Sequence, residues 1–265
     1  MNSDKILSFL PETCPFREHL HYVPTIGSTN DTLKQWALEG APHGTLLIAG
    51  EQTRGKGRLG RSFHSPEGTG VYLSLLLRPH CRPEQLMHLT CAAAAAMVEA
   101  IEEAALFRPS IKWTNDLVFG QKKLGGILTE LSLNSSGLNF CIIGIGINCL
   151  QKPEDFPPEL QDMAASLSMI AGKPVAPARL AAAMIQALAR MDETLLTGKE
   201  DMLRSYRENC ITLGSEISLV RGREIRHGKA LDIDEDGALI VEFAPGKTET
   251  VSSGEVSIRG MYGYV

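Results

Sequence analysis

The chain has 265 residues, 43% of them hydrophobic, enough for one large domain, or a domain with a small appendage, around a proper core. A net charge of −5 excludes any global electrostatic reason to bind nucleic acid or an anionic membrane, so an anion must be held by a local group of cations. The opening MNSDKILSFLPETCPF never builds a signal-peptide run and no segment approaches a membrane span, which predicts a cytoplasmic protein; six cysteines without a C-x-x-C pair predict reduced packing residues, with neither a disulfide framework nor a metal site.

Ser28, Thr29, Asn30 and Asp31 open a predicted helix through LKQWALEG, with Ser28 or Thr29 as cap and Gly40 as stop. A strand, TLLIA at 45–49, follows. The next stretch, GEQTRGKGRLGRSF at 50–63, touches two nucleotide-binding patterns. Gly55, Gly57 and Gly60 spell G-x-G-x-x-G, and Gly50, Gly55 and Lys56 nearly spell a P-loop. Both patterns need a helix directly after the loop. Here Pro66, Gly68 and Gly70 break any helix, a strand VYLSLLL follows at 71–77, and Gly57 stands where a P-loop needs Ser or Thr. What remains is Arg54, Lys56, Arg58 and Arg61 with no acid among them. That is either a solvated basic loop or a glycine-rich lid that orders around phosphate or carboxylate.

Pro83 starts a predicted long helix through EQLMHLTCAAAAAMVEAIEEA. Its Leu86, Leu89, Ala93, Met97 and Ile101 keep helical spacing, so the alanine run reads as a closely packed face. SIKWTNDLVFGQKKLGGILTELSL and NFCIIGIGINCL, separated by NSSG, read as two strand-rich runs joined in a hairpin. Lys112, Asn115, Asp116, Lys122 and Lys123 gather there beside a Gly-Gly pair. Two glycines weaken an apolar strand unless something approaches its backbone, although a turn at TND and an exposed tip at QKK use the same residues. In IIGIGIN, Gly144 and Gly146 alternate with isoleucines, leaving one strand face bare for a ligand or for a closely crossing helix. Asn148 ends that run with a polar group.

QKPEDFPPEL predicts a surface loop and APARLAAAMIQALARM a helix. From Gly214, the runs EISLV, REIRHGKALDID, ALIVEF, TETVS and EVSIR, separated by turn residues, predict a small β-barrel. The boundary is placed near 212, giving a catalytic domain at 1–212 and a C-terminal domain at 213–265. There is no H-E-x-x-H spacing and no G-x-S-x-G elbow, which removes support for a zinc enzyme or a hydrolase triad. Activating a carboxylate on a nucleotide needs only positive charge and positioning, and these residues suit that task.

Five stretches in order, GSTN (27–30), EQTRGKGRLGRSF (51–63), KWTNDL (112–117), KKLGGIL (122–128) and IGIGIN (143–148), resemble the motifs of the biotin protein ligases. The resemblance covers roughly 20–150 by motif and the whole chain by architecture. It implies an α/β (α+β) fold: a mixed-sheet, class II synthetase-like catalytic domain followed by an SH3-like β-barrel. The implied reaction has two steps. Biotin's carboxylate attacks the α-phosphate of ATP, with Mg2+, to give biotinyl-5'-AMP. A lysine of a biotin carboxyl carrier protein or carboxylase biotin domain then takes the biotinyl group.

By the family's pattern, Ser28, Thr29, Asn30, Gln52, Gly55, Lys56, Arg58, Lys123, Gly126, Gly144 and Gly146 would meet biotin, the three last-named glycines as flat walls for its rings. Arg58, Arg61, Phe63, Lys112, Asn115, Lys123 and Asn148 would meet ATP. Lys123, Arg58 and Asp116 would be catalytic, with Asp116 as base, as orienter of the acceptor lysine or as a magnesium ligand. Phe63 stands where the family often has tryptophan, and Lys56 where arginine is common. SSGEVSIRG (252–260) is where the barrel would help to hold ATP and the acceptor. The nearest alternative is a lipoate ligase or octanoyltransferase of the same fold. The 26 residues before Gly27 show no helix pair and no basic cluster, which predicts no DNA binding. Monomer and homodimer both remain open.

Overall fold

A computed structural model describes residues 1–135 and 137–252, together with the backbone of Ser257–Gly260. The chain runs α1 (Ser3–Leu7), β1 (Leu20–Ile26), α2 (Thr29–Leu38), β2 (Leu46–Gln52), β3 (Gly70–Leu77), α3 (Leu89–Ala105), β4 (Ser110–Lys112) and β5 (Asp116–Phe119). It continues β6 (Lys122–Asn134), β7 (Gly137–Asn148), α4 (Pro158–Gln161), α5 (Leu167–Ala171), α6 (Pro177–Thr194) and α7 (Lys199–Asn209). Last come β8 (Glu216–Arg221), β9 (Glu224–Ile233), β10 (Leu239–Ala244), β11 (Lys247–Val251) and β12 (Ser257–Gly260).

Seven strands form a mixed sheet in the order β1-β2-β3-β7-β6-β5-β4, with β1 parallel to β2 and every other pair antiparallel. Alternation assigns its two faces. Val71, Leu73, Leu75, Ile143, Ile145 and Ile147 belong to the main core with α3 and α6. Alanines at 92–96 and 181–183, all buried, let those two helices approach closely. On the other face, Leu47, Leu76, Phe140 and Ile142 pack against Leu33 and Ala37 of α2 in a second cluster. Beyond that cluster, cross-strand pairing sets Asp116, Gly126, Gly146 and Tyr72 in one row and Leu128, Gly144 and Ser74 in the next. The first turn of α2 reaches that end of the face through Asn30, which meets Ser74.

Two segments read from the sequence fold differently. The helix expected from Pro83 is split: Pro83–Leu86 forms a 3-10 turn, and α3 starts only after His88. At the break the buried His88 ring donates through Nε2 to the Leu195 carbonyl at 3.1 Å, a tertiary bond no local pattern announces. The segment expected as a bare loop at QKPEDFPPEL holds a 3-10 turn and α4.

The C-terminal sheet runs β11-β10-β9-β8-β12, all antiparallel, with Ile217, Leu219, Ala230, Ile233, Leu239 and Val241 inside. SSGEVSIRG falls outside the described residues save for Ser252 and the β12 backbone. The two units are joined by polar bonds: Trp113 Nε1 donates to the Gly237 carbonyl at 3.0 Å, and Arg207 reaches Asp232 and the Ile233 carbonyl, each at 2.8 Å. Lys199 and Asp236 add an ion pair at 2.8 Å. Trp113→Phe keeps an aromatic ring, loses part of its buried volume and takes the indole donor from a buried carbonyl. It is expected to lower unfolding free energy by about 1–3 kcal/mol. Urea denaturation checks this, and an unmoved midpoint would show that docking does not need the bond. Among the described residues no helix is long and apolar enough to cross a membrane.

Candidate functional site

That end of the sheet is the floor of a cavity of about 660 Å³. Its walls are the start of α2, the loop after β2, and the β4–β5 turn with the start of β6. Of the residues singled out from the sequence, Ser28, Thr29, Asn30, Gln52, Lys56, Arg58, Arg61, Phe63, Lys112, Asn115, Asp116, Lys123, Gly126, Gly144 and Gly146 line it.

The cavity has a neutral end and a charged end. At the neutral end, the Gln52 side-chain carbonyl accepts the Thr29 N–H at 2.9 Å, tying the first turn of α2 to the end of β2. Ser28 is the N-cap residue of α2, as expected, but its side chain makes no capping bond and lines the cavity instead. At the charged end, Lys123 Nζ lies 2.5 Å from Asp116 Oδ1. Lys112, only 5% exposed, stands beside them.

The glycine-rich loop closes over the cavity as a small hairpin. Gly57 N–H donates to the Arg61 carbonyl at 2.7 Å, Phe63 N–H donates to the Gly55 carbonyl at 2.9 Å, and Lys56 bridges Ser62. Its tip carries Leu59 and Gly60, both at positive φ. Arg58 and Lys56 help to hold it down. Arg58 Nη1 donates to Asn115 Oδ1 at 2.9 Å, and Lys56 Nζ pairs with Asp31 at 2.5 Å. Asn115 is itself oriented, because its Nδ2 donates to the Ile127 carbonyl at 2.9 Å. Burial pulls the Arg58 guanidinium below its ordinary pKa and nearby Asp116 pushes it back, so the residue keeps its charge at neutral pH.

Two expected residues stand outside the lining. A side chain at Gly55 would strike the Phe63 carbonyl and Ser65 Oγ, so this glycine serves the turn. Asn148 is buried, donates to the Ala165 carbonyl at 3.2 Å and accepts from Gln151 at 3.4 Å. The bare glycine positions also have occupants. The space above Gly144 holds the Asn30 carboxamide, that above Gly146 holds the Phe63 ring, and Gly126 faces Lys123 and Asp116. Gly144→Ala would therefore overpack a buried, hydrogen-bonded amide, with an expected loss of about 1–3 kcal/mol in denaturant unfolding. Wild-type stability in that variant would mean that Asn30 can move aside.

Sequence reading missed Ser74 and Glu130, which lie beneath or beyond the floor. Ser74 carried a signal, as the one polar residue inside VYLSLLL. Among the described residues no group of three or more His, Cys, Asp or Glu could hold a metal ion, and Asp116 is the only carboxylate lining the cavity.

The chain matches the Biotin/lipoate A/B protein ligase family over residues 22–148 and the Biotin protein ligase C terminal domain over residues 212–259. It is 37% identical over 245 residues to the bifunctional ligase/repressor BirA of Bacillus subtilis, a match covering 92% of this chain and 75% of that one. It is 31% identical over 244 residues to the biotin--[acetyl-CoA-carboxylase] ligase of Mycobacterium tuberculosis, covering 89% and 88%. A biotin protein ligase from Aquifex aeolicus, solved in complex with biotin and ATP, superposes with a TM-score of 0.76 at 32% identity, covering 92% of this chain and 99% of that one. The likeness thus extends through both domains and includes the sheet that floors the cavity, and the chain belongs to the biotin protein ligase family.

Proposed function

We infer that this chain is a biotin-[acetyl-CoA-carboxylase] ligase, which condenses biotin with ATP to biotinyl-5'-AMP and pyrophosphate and then biotinylates a lysine of a carboxylase biotin-carrier domain. One observation carries the reading: a single cavity puts neutral hydrogen-bonding groups at one end and Arg58, Lys112 and Lys123 at the other. Biotin has that division, with a neutral ureido ring at one end and a carboxylate at the other.

In the first step a carboxylate oxygen of biotin bonds to the α-phosphorus and pyrophosphate leaves. Lys123 and Arg58 supply the positive charge that two mutually repelling anions need, and they are in place before the reaction. Phe63 offers a face for the adenine, with Arg61 and Lys112 toward the phosphates. The hairpin of residues 55–63 excludes water from the mixed anhydride, which would otherwise hydrolyse. In the second step the acceptor amine attacks the acyl carbon, AMP leaves and a proton is lost. Asp116 orients that amine or takes its proton. Magnesium would arrive with ATP and screen its phosphates, because a lone carboxylate beside Lys123 is too few donors for a resident ion.

The same neutral end argues against lipoate or octanoate, whose apolar ends would make no hydrogen bond to the Ser28, Thr29 and Gln52 side chains that line it. The catalytic work belongs to residues 1–212, with the barrel assisting at the acceptor side. Unpaired cysteines suit a reducing cytoplasm. Neither DNA nor a membrane enters this reading, and gel filtration decides between monomer and homodimer. The test is adenylation with α-labelled MgATP and, separately, biotin, lipoate or octanoate. Acyl-AMP with biotin alone, passed on to an added carrier domain, is expected. Label with lipoate or octanoate would assign the chain to the sister activity, and none with any acid would leave only a binding protein.

A further inference from the structure

Under the neutral end of the cavity runs a series of hydrogen bonds that leads out of it. Asn30 Nδ2 donates to Glu130 Oε2 at 2.9 Å, and Asn30 Oδ1 lies 2.6 Å from Ser74 Oγ. Ser74 Oγ lies 2.7 Å from Thr29 Oγ1, which belongs to the cavity wall. Thr29, Asn30 and Ser74 are buried, Ser74 completely. Glu130 does not line the cavity. It is half-buried on β6, and its other oxygen stands 3.6 Å from Lys34 of α2.

Each hydroxyl has one proton, so these groups cannot be wired freely. The Glu130 carboxylate and, at a longer 3.4 Å, the Leu128 carbonyl only accept, which turns the Asn30 amide nitrogen to them and the Asn30 carbonyl to Ser74. Ser74 must then donate to that carbonyl. The Ser74 and Thr29 oxygens, 2.7 Å apart, still need a proton between them, and the remaining one is Thr29's. Gln52 Oε1 competes for it at 3.0 Å but already accepts the Thr29 N–H. The shorter contact prevails. Thr29 thus points its proton into the wall and offers the cavity only lone pairs.

We propose that Glu130 is a positioning residue that, through Asn30 and Ser74, fixes Thr29 as a hydrogen-bond acceptor, so that the cavity selects an acid whose far end carries N–H donors. The proposal rests on the biotin reading above, since a ureido ring carries such donors and an alkyl chain or a dithiolane does not. Glutamine at 130 keeps the shape but can donate as well as accept. The Asn30 amide, left with the longer bond to the Leu128 carbonyl at 3.4 Å, can then reverse, Ser74 loses its direction, and the Thr29 proton turns to Gln52 Oε1 at 3.0 Å, which takes an acceptor away from the cavity.

The test compares biotin with the two cyclic carbamates in which one or the other ureido N–H is replaced by oxygen, with Kd measured by calorimetry on the full chain. The unaltered protein is expected to prefer biotin over at least one carbamate by about tenfold. Glu130→Gln should shrink that preference to about twofold or less by weakening biotin, and Ser74→Ala, which cuts the series at a second point, should do the same. Equal weakening of biotin and carbamates, with the preference intact, would make Glu130 a structural residue and sink the proposal. Should Ser74→Ala fail to fold, Glu130→Gln at its half-buried position still decides. An unaltered protein that binds no biotin would overturn the functional reading itself, an outcome distinct from a lost preference.

Discussion

Lys123→Ala is expected to slow biotinyl-adenylate formation by about 10²- to 10³-fold, the usual consequence of removing one preorganised charge from a site where negative charge develops. The preorganisation is visible in the backbone. Lys123 N–H donates to the Met163 carbonyl at 2.7 Å and its own carbonyl accepts from Ala165 N–H at 2.9 Å, so the residue is fixed on both sides before any ligand enters. Its ammonium, 2.5 Å from Asp116, has little freedom left. Alanine does two things at once. It removes the cation, and it leaves the Asp116 carboxylate, 17% exposed, facing the incoming phosphates without that ammonium. Repulsion therefore adds to lost attraction. Single-turnover formation of labelled acyl-AMP measures the effect. Biotin affinity by calorimetry should change far less, since the neutral end is untouched. A variant that adenylates at the wild-type rate would remove Lys123 from the reaction.

What the sequence revealed, and what it hid, follows from where each signal resides. Strands β2, β3, β6, β7 and β8 to β11 were legible because each combines apolar alternation or a buried run with a glycine or polar turn at its end. β1 was not, because Leu20–Ile26 is a partly exposed edge strand interrupted by Pro24, with no clean alternation. The glycines at 126, 144 and 146 announced a bare face correctly, but local sequence says nothing about what fills it. Asn30, 114 residues before Gly144, and Phe63, 83 before Gly146, occupy two of the three spaces. Asn148 misled for the converse reason. A polar residue at a strand end resembles a ligand contact until its tertiary partners, Ala165 and Gln151, are seen. Glu130 could not have been found from the sequence, because its part depends on the Asn30 amide of α2 meeting it on β6.

Arg58→Ala is expected to divide the two half-reactions differently from Lys123→Ala. Arg58 does two jobs: its charge faces the reacting anions, and its bond to Asn115 acts with a second contact to hold the hairpin of residues 55–63 over the cavity. The other, Lys56 with Asp31, is exposed, and such pairs contribute at most about 1 kcal/mol. The Arg58 bond is partly buried and oriented through Asn115 to the Ile127 carbonyl, so it carries more of the closure. Without it the hairpin opens more often, and a mixed anhydride formed beneath it meets water or escapes. Adenylate formation should fall about tenfold to a hundredfold, and a much larger share of what forms should appear as free biotinyl-AMP or as biotin and AMP in solution. Rapid filtration after a single turnover, with carrier domain absent, separates bound from released adenylate. Lys123→Ala should show slow formation with normal retention, and Arg58→Ala slow formation with poor retention. Equal retention in both variants would mean that the hairpin closes without Arg58, leaving the arginine as a charge alone and placing the closure on Lys56 and the α2 terminus.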